Sequence, residues 1–407
     1  MRCAIRASAA ALLSAAGSLP AADWQAELTA GTRAFVQSSV DSLPDQWDGY
    51  LAGEVAGYKD WGRERQRLEF RAAARWDSDD PARHLLDIRE AYYRYRWRGG
   101  EWAIGIDRVF WGVTEALHLV DIINQTDLAA NPDTEDKLGQ PMLRLTLTPT
   151  WGQFDFFVLP AFRERSFPGP RGRLRGPIRV VEAAARYESS ARRDHIDVAA
   201  RYSHYIGPVE FAVGHFSGTT RQPLLEPLTP LPALPPGSAL PAVPERIDLA
   251  PVYFQTDQTS LEATLVTGRW LWKLEAITAR EPNRRFQAAT GGFEVTFNGV
   301  AGNADLGVIA EYQYDERANG IAFGAQDDVV VGARLAFNDF AGTEALVLVS
   351  RDLEFDSSLV SVEASRRFSD HWRGSIEARF FSASDPADAL TLFAREDYWQ
   401  IALTRFF

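Results

Sequence analysis

The chain has 407 residues, of which 46% are apolar and 24% charged, and carries a formal net charge of -12. That balance argues against a nucleic-acid partner, since phosphate backbones are bound by clustered cations. The only cysteine is Cys3; it falls in a segment that reads as a removable leader, which excludes disulfides, thiol catalysis and Cys-based zinc sites from the mature chain.

The leader comes first in chain order. Met1-Arg2-Cys3-Ala4-Ile5-Arg6 is a short basic start, Ala7 to Ala16 is small and apolar, and Ser18-Leu19-Pro20-Ala21-Ala22 offers small residues for cleavage. Residues 1–22 therefore read as a secretory signal peptide. The run is too short and too rich in Ser and Ala for a spanning helix, which needs about 20 apolar residues.

From Trp24 to Phe407 a two-residue period recurs. Leu68, Phe70, Ala72, Ala74 and Trp76 alternate with Arg67, Glu69, Arg71, Ala73 and Arg75. Leu306, Val308, Ala310, Tyr312 and Tyr314 alternate with Asp305, Gly307, Ile309, Glu311 and Gln313. Val360, Val362, Ala364 and Phe368 alternate with Ser361, Glu363, Ser365 and Arg367. This period excludes amphipathic helices for these segments. The predicted strands are 24–38, 48–59, 66–77, 85–98, 101–112, 141–150, 152–162, 178–189, 194–206, 208–219, 247–257, 259–267, 269–280, 287–298, 304–315, 328–338, 343–352, 358–368, 371–383 and 397–407.

A soluble sandwich alternates too. Here the strands run to about ten residues or more, as membrane-spanning strands do. Trp76, Trp97, Trp102, Trp151, Trp270, Trp372 and Trp399 lie near their ends, as an interfacial girdle requires. No apolar run reaches spanning-helix length, so a membrane chain of this composition has one solution, a closed barrel whose backbone groups pair between strands. The fold class expected is an all-β transmembrane antiparallel barrel over 23–407. Its strand count should be even, between 16 and 20 with 18 favoured. The bookkeeping breaks between 163 and 257, where the Gly207-Pro208 turn and the long 220–246 segment cannot both take their proper sides unless one segment is not a stave.

Three stretches are irregular. Residues 113–140 hold Leu117, Val120, Ile123 and Leu128 at weak helical spacing, and Asn131-Pro132-Asp133 marks a turn. Residues 163–177 form a basic Gly/Pro loop, and 220–246 contain eight of the 22 prolines, which excludes a central strand there. The inward face of the predicted barrel carries Arg67, Arg71, Arg75, Arg94, Arg96, Arg201, Arg334, Arg367, Arg373 and Arg379 with Glu69, Glu90, Asp107, Glu275, Glu311, Glu363 and Glu377. Facing lipid, each would cost about 2–4 kcal/mol at the midplane, so the interior must be wet or internally paired. The histidines are scattered, with no metal-ligand spacing, and Ser203 and His204 are neighbours that point to opposite faces. Asp194 and His195 at a turn are the best candidate for hydrolytic chemistry. No catalytic set, metal site or cofactor is expected.

The last eleven residues, Asp397 to Phe407, put Trp399, Ile401, Leu403, Arg405 and Phe407 on one face and Tyr398, Gln400, Ala402, Thr404 and Phe406 on the other. A chain ending so resembles Gram-negative outer-membrane β-barrels. Phe110-Trp111-Gly112 with the Asp/Asn-rich loop after it resembles large porin-like families. The resemblance implies an outer-membrane location, lipid around the barrel, an insertion machinery that reads the terminal strand, and a monomer or homotrimer. It implies passive passage of small hydrophilic solutes along a pore lined by Arg67, Glu69, Arg71, Arg75, Glu90, Arg94, Arg96, Asp107, Glu311, Arg334, Glu363, Arg367, Arg373, Glu377 and Arg379. General porins fold a loop into the barrel; residues 113–140 are expected to do likewise, with Asp121, Asn124, Asp127, Asp133, Glu135 and Asp136 as an acidic wall. The alternatives are a loop packed on the rim, a gated barrel for a larger or hydrophobic substrate, and a barrel hydrolase.

Overall fold

The computed structural model describes residues 23–39, 45–175, 177–229, 247–317 and 326–407. The predicted leader lies outside them, as does the 230–246 part of the proline-rich segment. The strands are β1 (Asp23–Phe35), β2 (Trp47–Trp61), β3 (Gln66–Asp77), β4 (Leu85–Trp97), β5 (Gly100–Asp107), β6 (Gln140–Leu147), β7 (Gln153–Leu159), β8 (Ile178–Val180), β9 (Arg186–Tyr187), β10 (Asp197–Ile206) and β11 (Val209–Thr219). They continue with β12 (Leu224–Pro227), β13 (Ile247–Tyr253), β14 (Gln255–Thr267), β15 (Trp270–Glu281), β16 (Arg284–Ala301), β17 (Ala304–Asp315), β18 (Asp327–Ala336), β19 (Glu344–Asp352), β20 (Ser358–Ser369), β21 (Trp372–Ser382) and β22 (Tyr398–Phe406). Eighteen of them form one antiparallel sheet, and β1 pairs with both β2 and β22, so the sheet closes on itself. Closure leaves no free edge and satisfies every stave from both sides.

Alternation explains which side each residue takes. On β15, Trp270, Trp272 and Leu274 are exposed on the outside while Lys273, Glu275 and Ile277 are buried inside. Leu51, Leu68, Ile104, Leu143, Val213, Val331 and Ile376 are likewise exposed, giving the outer belt an apolar surface. Trp47, Trp76 and Trp399 stand at one rim and Trp97, Trp151, Trp270 and Trp372 at the other, all exposed. Arg405, which interrupts the outer face of β22, stacks 5.6 Å from the Trp372 ring and 4.7 Å from that of Phe407. At a rim its charge reaches water while its stem covers apolar surface.

Asp23 and Phe407 share one end of the barrel with the tight turns at 207–208, 268–269 and 302–303. Gly207 and Gly268 turn there with φ of 60° and 63°, the left-handed region that favours glycine. The long connections, from β5 to β6, from β7 to β10 and from β11 to β14, start and finish at the other end.

Two predicted staves are corrected. Residues 178–189 and 247–254 do not join the barrel wall, and the last three residues of the predicted 247–257 strand instead open β14; β8, β9, β12 and β13 form a separate small sheet in the long connections, with β13 parallel to β8 and β9 and antiparallel to β12. In β13, Leu249 and Ala250 are both fully buried. Burial on consecutive positions means both faces pack on protein, which a lipid-facing stave cannot do. Removing the two restores the count of eighteen and puts Gly207-Pro208 and 220–254 at opposite ends. The described part of the basic loop, 163–175, packs on other connections at the same end, where buried Arg173 pairs with Glu396 of the β21–β22 connection at 2.7 Å. A third correction is shorter: β5 stops at Asp107, and Trp111 turns into the barrel, 5% exposed. Among the described residues there is no α-helix.

Candidate functional site: the barrel interior

After β5 the chain does not return along the wall until β6 starts at Gln140. The segment between carries Trp111, Val120, Ile122 and Ile123, which cannot remain in water without penalty. They pack on inward side chains of the wall: Phe157 of β7, Ala199 of β10, Phe216 of β11, Ile277 of β15 and Phe286 of β16. Trp111 meets Phe157 edge-on at 5.7 Å. Burying one such large side chain stabilises by about 1.5–3 kcal/mol. The weak helical spacing is not realised, because 122 to 127 are all buried and a helix lying on a wall would leave one side free.

Two wall carboxylates grip the backbone of the same segment. Glu275 is fully buried. Its Oε1 accepts from Val113 N at 2.7 Å, Thr114 N at 3.0 Å and Thr114 Oγ1 at 2.7 Å, and its Oε2 from Val120 N at 3.2 Å. Glu311 accepts from Glu115 N at 2.7 Å and Ala116 N at 3.1 Å. Ionised acceptors make the stronger hydrogen bonds. Glu115 in turn meets Arg334 at 2.6 Å and Lys273 at 3.7 Å. Farther along, Asp127 pairs with Arg75 of β3 at 2.9 Å and Asp133 with Arg379 of β21 at 2.9 Å. A segment leaving β5 thus touches β3, β15, β17, β18 and β21, and so crosses the interior.

The loop residues singled out by sequence are each engaged. Asp121 pairs with Lys137 at 3.1 Å, Glu135 with His118 at 3.0 Å and Asp136 with Arg89 at 3.8 Å. Asn124 accepts from Val109 N and donates to the carbonyls of Asp107 and Leu138, tying the two limbs of the loop together. Since each of these carboxylates meets a cation, the loop presents paired charge rather than a bare acidic wall.

On the barrel wall, Arg71 bridges Glu54 and Glu90, and Glu90 also takes Arg108 at 3.0 Å. Arg94 and Arg96 share Glu101, and Asp107 faces Arg144 at 3.5 Å. Arg379 gathers Glu363 at 3.3 Å and Glu377 at 3.1 Å. The remaining predicted lining residues lie toward the terminal rim. There Arg67 pairs with Asp60 at 2.6 Å and with Glu69 at 3.4 Å, Arg373 pairs with Glu344 at 3.0 Å, and Arg367 stacks on the Phe406 ring at 4.9 Å. Glu54, Arg89, Glu101, Glu115 and Arg144 complete these networks and were not singled out in the sequence; inward alternation was the available signal for Glu54, Glu101 and Arg144, whereas Arg89 falls at a register shift between β3 and β4 and Glu115 lies in the loop.

His118 sits between Glu135 and Glu275. Burial opposes its charge, but the hydrogen bond to Glu135 and the nearby carboxylate of Glu275, 3.9 Å from Nδ1, outweigh this and push its pKa up to about 10. A histidine raised above its unfolded value contributes stability that is complete below about pH 6.5 and is lost as pH rises through about 10. The native protein should therefore lose more thermal stability between pH 7 and 10.5 than His118→Gln does, as measured by melting in detergent. Equal losses would remove this ion pair from the account. Elsewhere, His195 meets Asp197, not Asp194, at 2.8 Å, and Asp197 also accepts from Arg221 at 2.8 Å and Thr219 N at 2.9 Å. Among the described residues no group of three His, Cys, Asp or Glu could hold a metal ion.

The loop leaves room on the side of β17 to β21. A cavity of ≈ 690 Å³ is bounded there by the loop residues Thr114 to His118 and Pro132 to Glu135 and by wall residues such as Asp328, Arg334, Leu348, Asp352 and Arg379.

Eighteen closed antiparallel staves with an apolar outer belt and a charged interior define an outer-membrane β-barrel, the fold of Gram-negative outer-membrane proteins. Among solved structures, Wzi, an outer-membrane protein involved in group 1 capsule assembly in Escherichia coli, matches 97% of this chain and 86% of its own at a TM-score of 0.52 and 9% identity. OmpT of Vibrio cholerae matches 95% of this chain and 99% of its own at a TM-score of 0.45 and 10% identity. A variant of the Rh. blastica porin matches 95% of this chain and 100% of its own at a TM-score of 0.45 and 11% identity. No protein-family model and no curated protein matches the sequence.

Proposed function

We propose that the protein is a porin-like channel in the outer membrane, through which small hydrophilic solutes diffuse passively. The ≈ 690 Å³ of space left beside the loop carries this reading, because a barrel of this many strands can enclose an aqueous channel. The loop that narrows the interior is held by Glu275, Glu311 and an apolar cluster. That favours a fixed constriction over a gate that opens for a larger substrate.

The lining of the space holds Glu115, Asp133, Glu135, Asp328, Asp352, Glu363 and Asp388 against Arg334, Arg379 and His118. Excess carboxylate concentrates cations and repels anions. In planar bilayers the purified barrel should give stable open steps, with a reversal potential in a KCl gradient that favours potassium. Asp328→Asn should weaken that preference. Liposomes carrying the barrel should swell in small neutral sugars. A correctly folded barrel that neither conducts nor admits sugar would overturn the channel reading.

A further inference from the structure

A second cavity, of ≈ 110 Å³, lies between the crossing loop and the upper ends of β11, β15 and β17. In a chain of net charge -12, its lining is cationic: Lys137, Arg165, Arg221, Arg280 and Arg317 face only Asp121 and Asp315. Four of these cations are engaged by carboxylates. Lys137 holds Asp121 at 3.1 Å, Arg221 holds Asp197 at 2.8 Å, Arg280 meets Glu188 at 3.5 Å, and Arg317 Nε meets both oxygens of Asp315 at 3.0 and 3.1 Å.

Arg165 differs from them. Its Nε makes a long contact, 3.4 Å, with the neutral amide oxygen of Gln125. Among the described residues, neither of its terminal nitrogens has an acceptor and no carboxylate pairs with it. Burial draws its pKa down to about 10, against a smaller upward pull from Tyr253. Arg165 is partly buried and its guanidinium lacks a counter-charge; its two unengaged Nη donors form a fork that fits a carboxylate bidentately. The same cavity has apolar lining from Ile277 and Phe286. A bare phosphate gains nothing from that surface, whereas a short hydrocarbon tail does. Exposed Gln222 and the partly exposed Arg280 stand at its mouth, on the end of the barrel that carries the long connections.

We propose that this cavity binds a small organic carboxylate, its head on Arg165 and its hydrocarbon part on Ile277 and Phe286. The site is separate from the passage beside β17 to β21, so it stands whether or not the barrel conducts.

Butyrate is the probe, titrated calorimetrically into the full folded chain in detergent. Saturable binding is expected, weakened by about tenfold or more in Arg165→Gln, as loss of a charge-assisted pair implies. Because the variant removes an uncompensated charge, it should melt no lower than the native barrel, and butyrate should raise the native midpoint but not the variant's. Absence of saturable binding, or equal affinity in the two proteins, overturns the site. Inorganic phosphate binding as tightly as butyrate overturns the assignment to an organic acid.

Discussion

Replacing residues 116–136 with a short Gly/Ser linker should raise single-channel conductance severalfold. The two limbs of the loop meet through their side chains, His118 Nε2 lying 3.0 Å from a carboxylate oxygen of Glu135, so a linker of a few residues can join the remaining ends. Val113, Thr114 and Glu115 stay in place and keep their hydrogen bonds to Glu275 and Glu311, so the stump remains on the wall. What disappears is the matter that fills the middle of the barrel. The inner faces of Phe157, Phe216, Ile277 and Phe286, now covered, would line a wider water-filled space. Eighteen staves are enough to hold that space open. The measurement is the current step in planar bilayers, with folding checked by the heat-modifiable mobility of the barrel. An unchanged step in a folded variant would mean that the segment does not limit the passage.

Glu275→Ala should both loosen the loop and destabilise the protein. One carboxylate serves three backbone amides and one hydroxyl. Truncating it strands those donors where the side chain is fully buried, at about 1–3 kcal/mol for each group left unsatisfied, less whatever entering water restores. Currents through the variant should become noisy as the loop fluctuates, and its melting midpoint should fall by several degrees. Glu275→Gln is the informative companion. An amide keeps an acceptor oxygen for Val113 and Thr114 and loses only the one facing Val120, so it should recover most of the stability. Identical behaviour of the two variants would show that the charge, not the acceptor geometry, holds the loop.

Much of the barrel was legible because one physical rule, apolar outside and polar inside at a period of two, acts on every stave. It placed Glu311, Arg334, Glu363 and Arg379 on the inner face without any knowledge of their neighbours. The rule is silent on partners. Asp133 and Arg379 are 246 residues apart, and the amides that grip Glu275 belong to the backbone, which has no identity in a sequence. It also fails where a strand is not a stave. Ile247–Tyr253 has the composition of a spanning strand, and only its burial on both faces reveals that it belongs to the loops. The apolar inner wall at Phe157, Phe216, Ile277 and Phe286 was the overlooked sign that something packs inside, since a wet lumen has no use for such residues.

The seam between the first and last staves carries a further consequence, for assembly. The hydroxyls of Thr29 and Thr404 are 2.8 Å apart although 375 residues separate them along the chain, whereas the pairings elsewhere in the wall join staves adjacent along the chain. The barrel is therefore a string of hairpins, each able to form locally, plus a single ring-closing event whose chain-entropy cost is roughly 5 kcal/mol. Until that event, β1 and β22 are open edges able to pair with a strand of any other molecule. Those edges need protection until the ring closes, so a substitution that weakens the seam should show itself first as misassembly during biogenesis, before any loss of stability in the finished barrel.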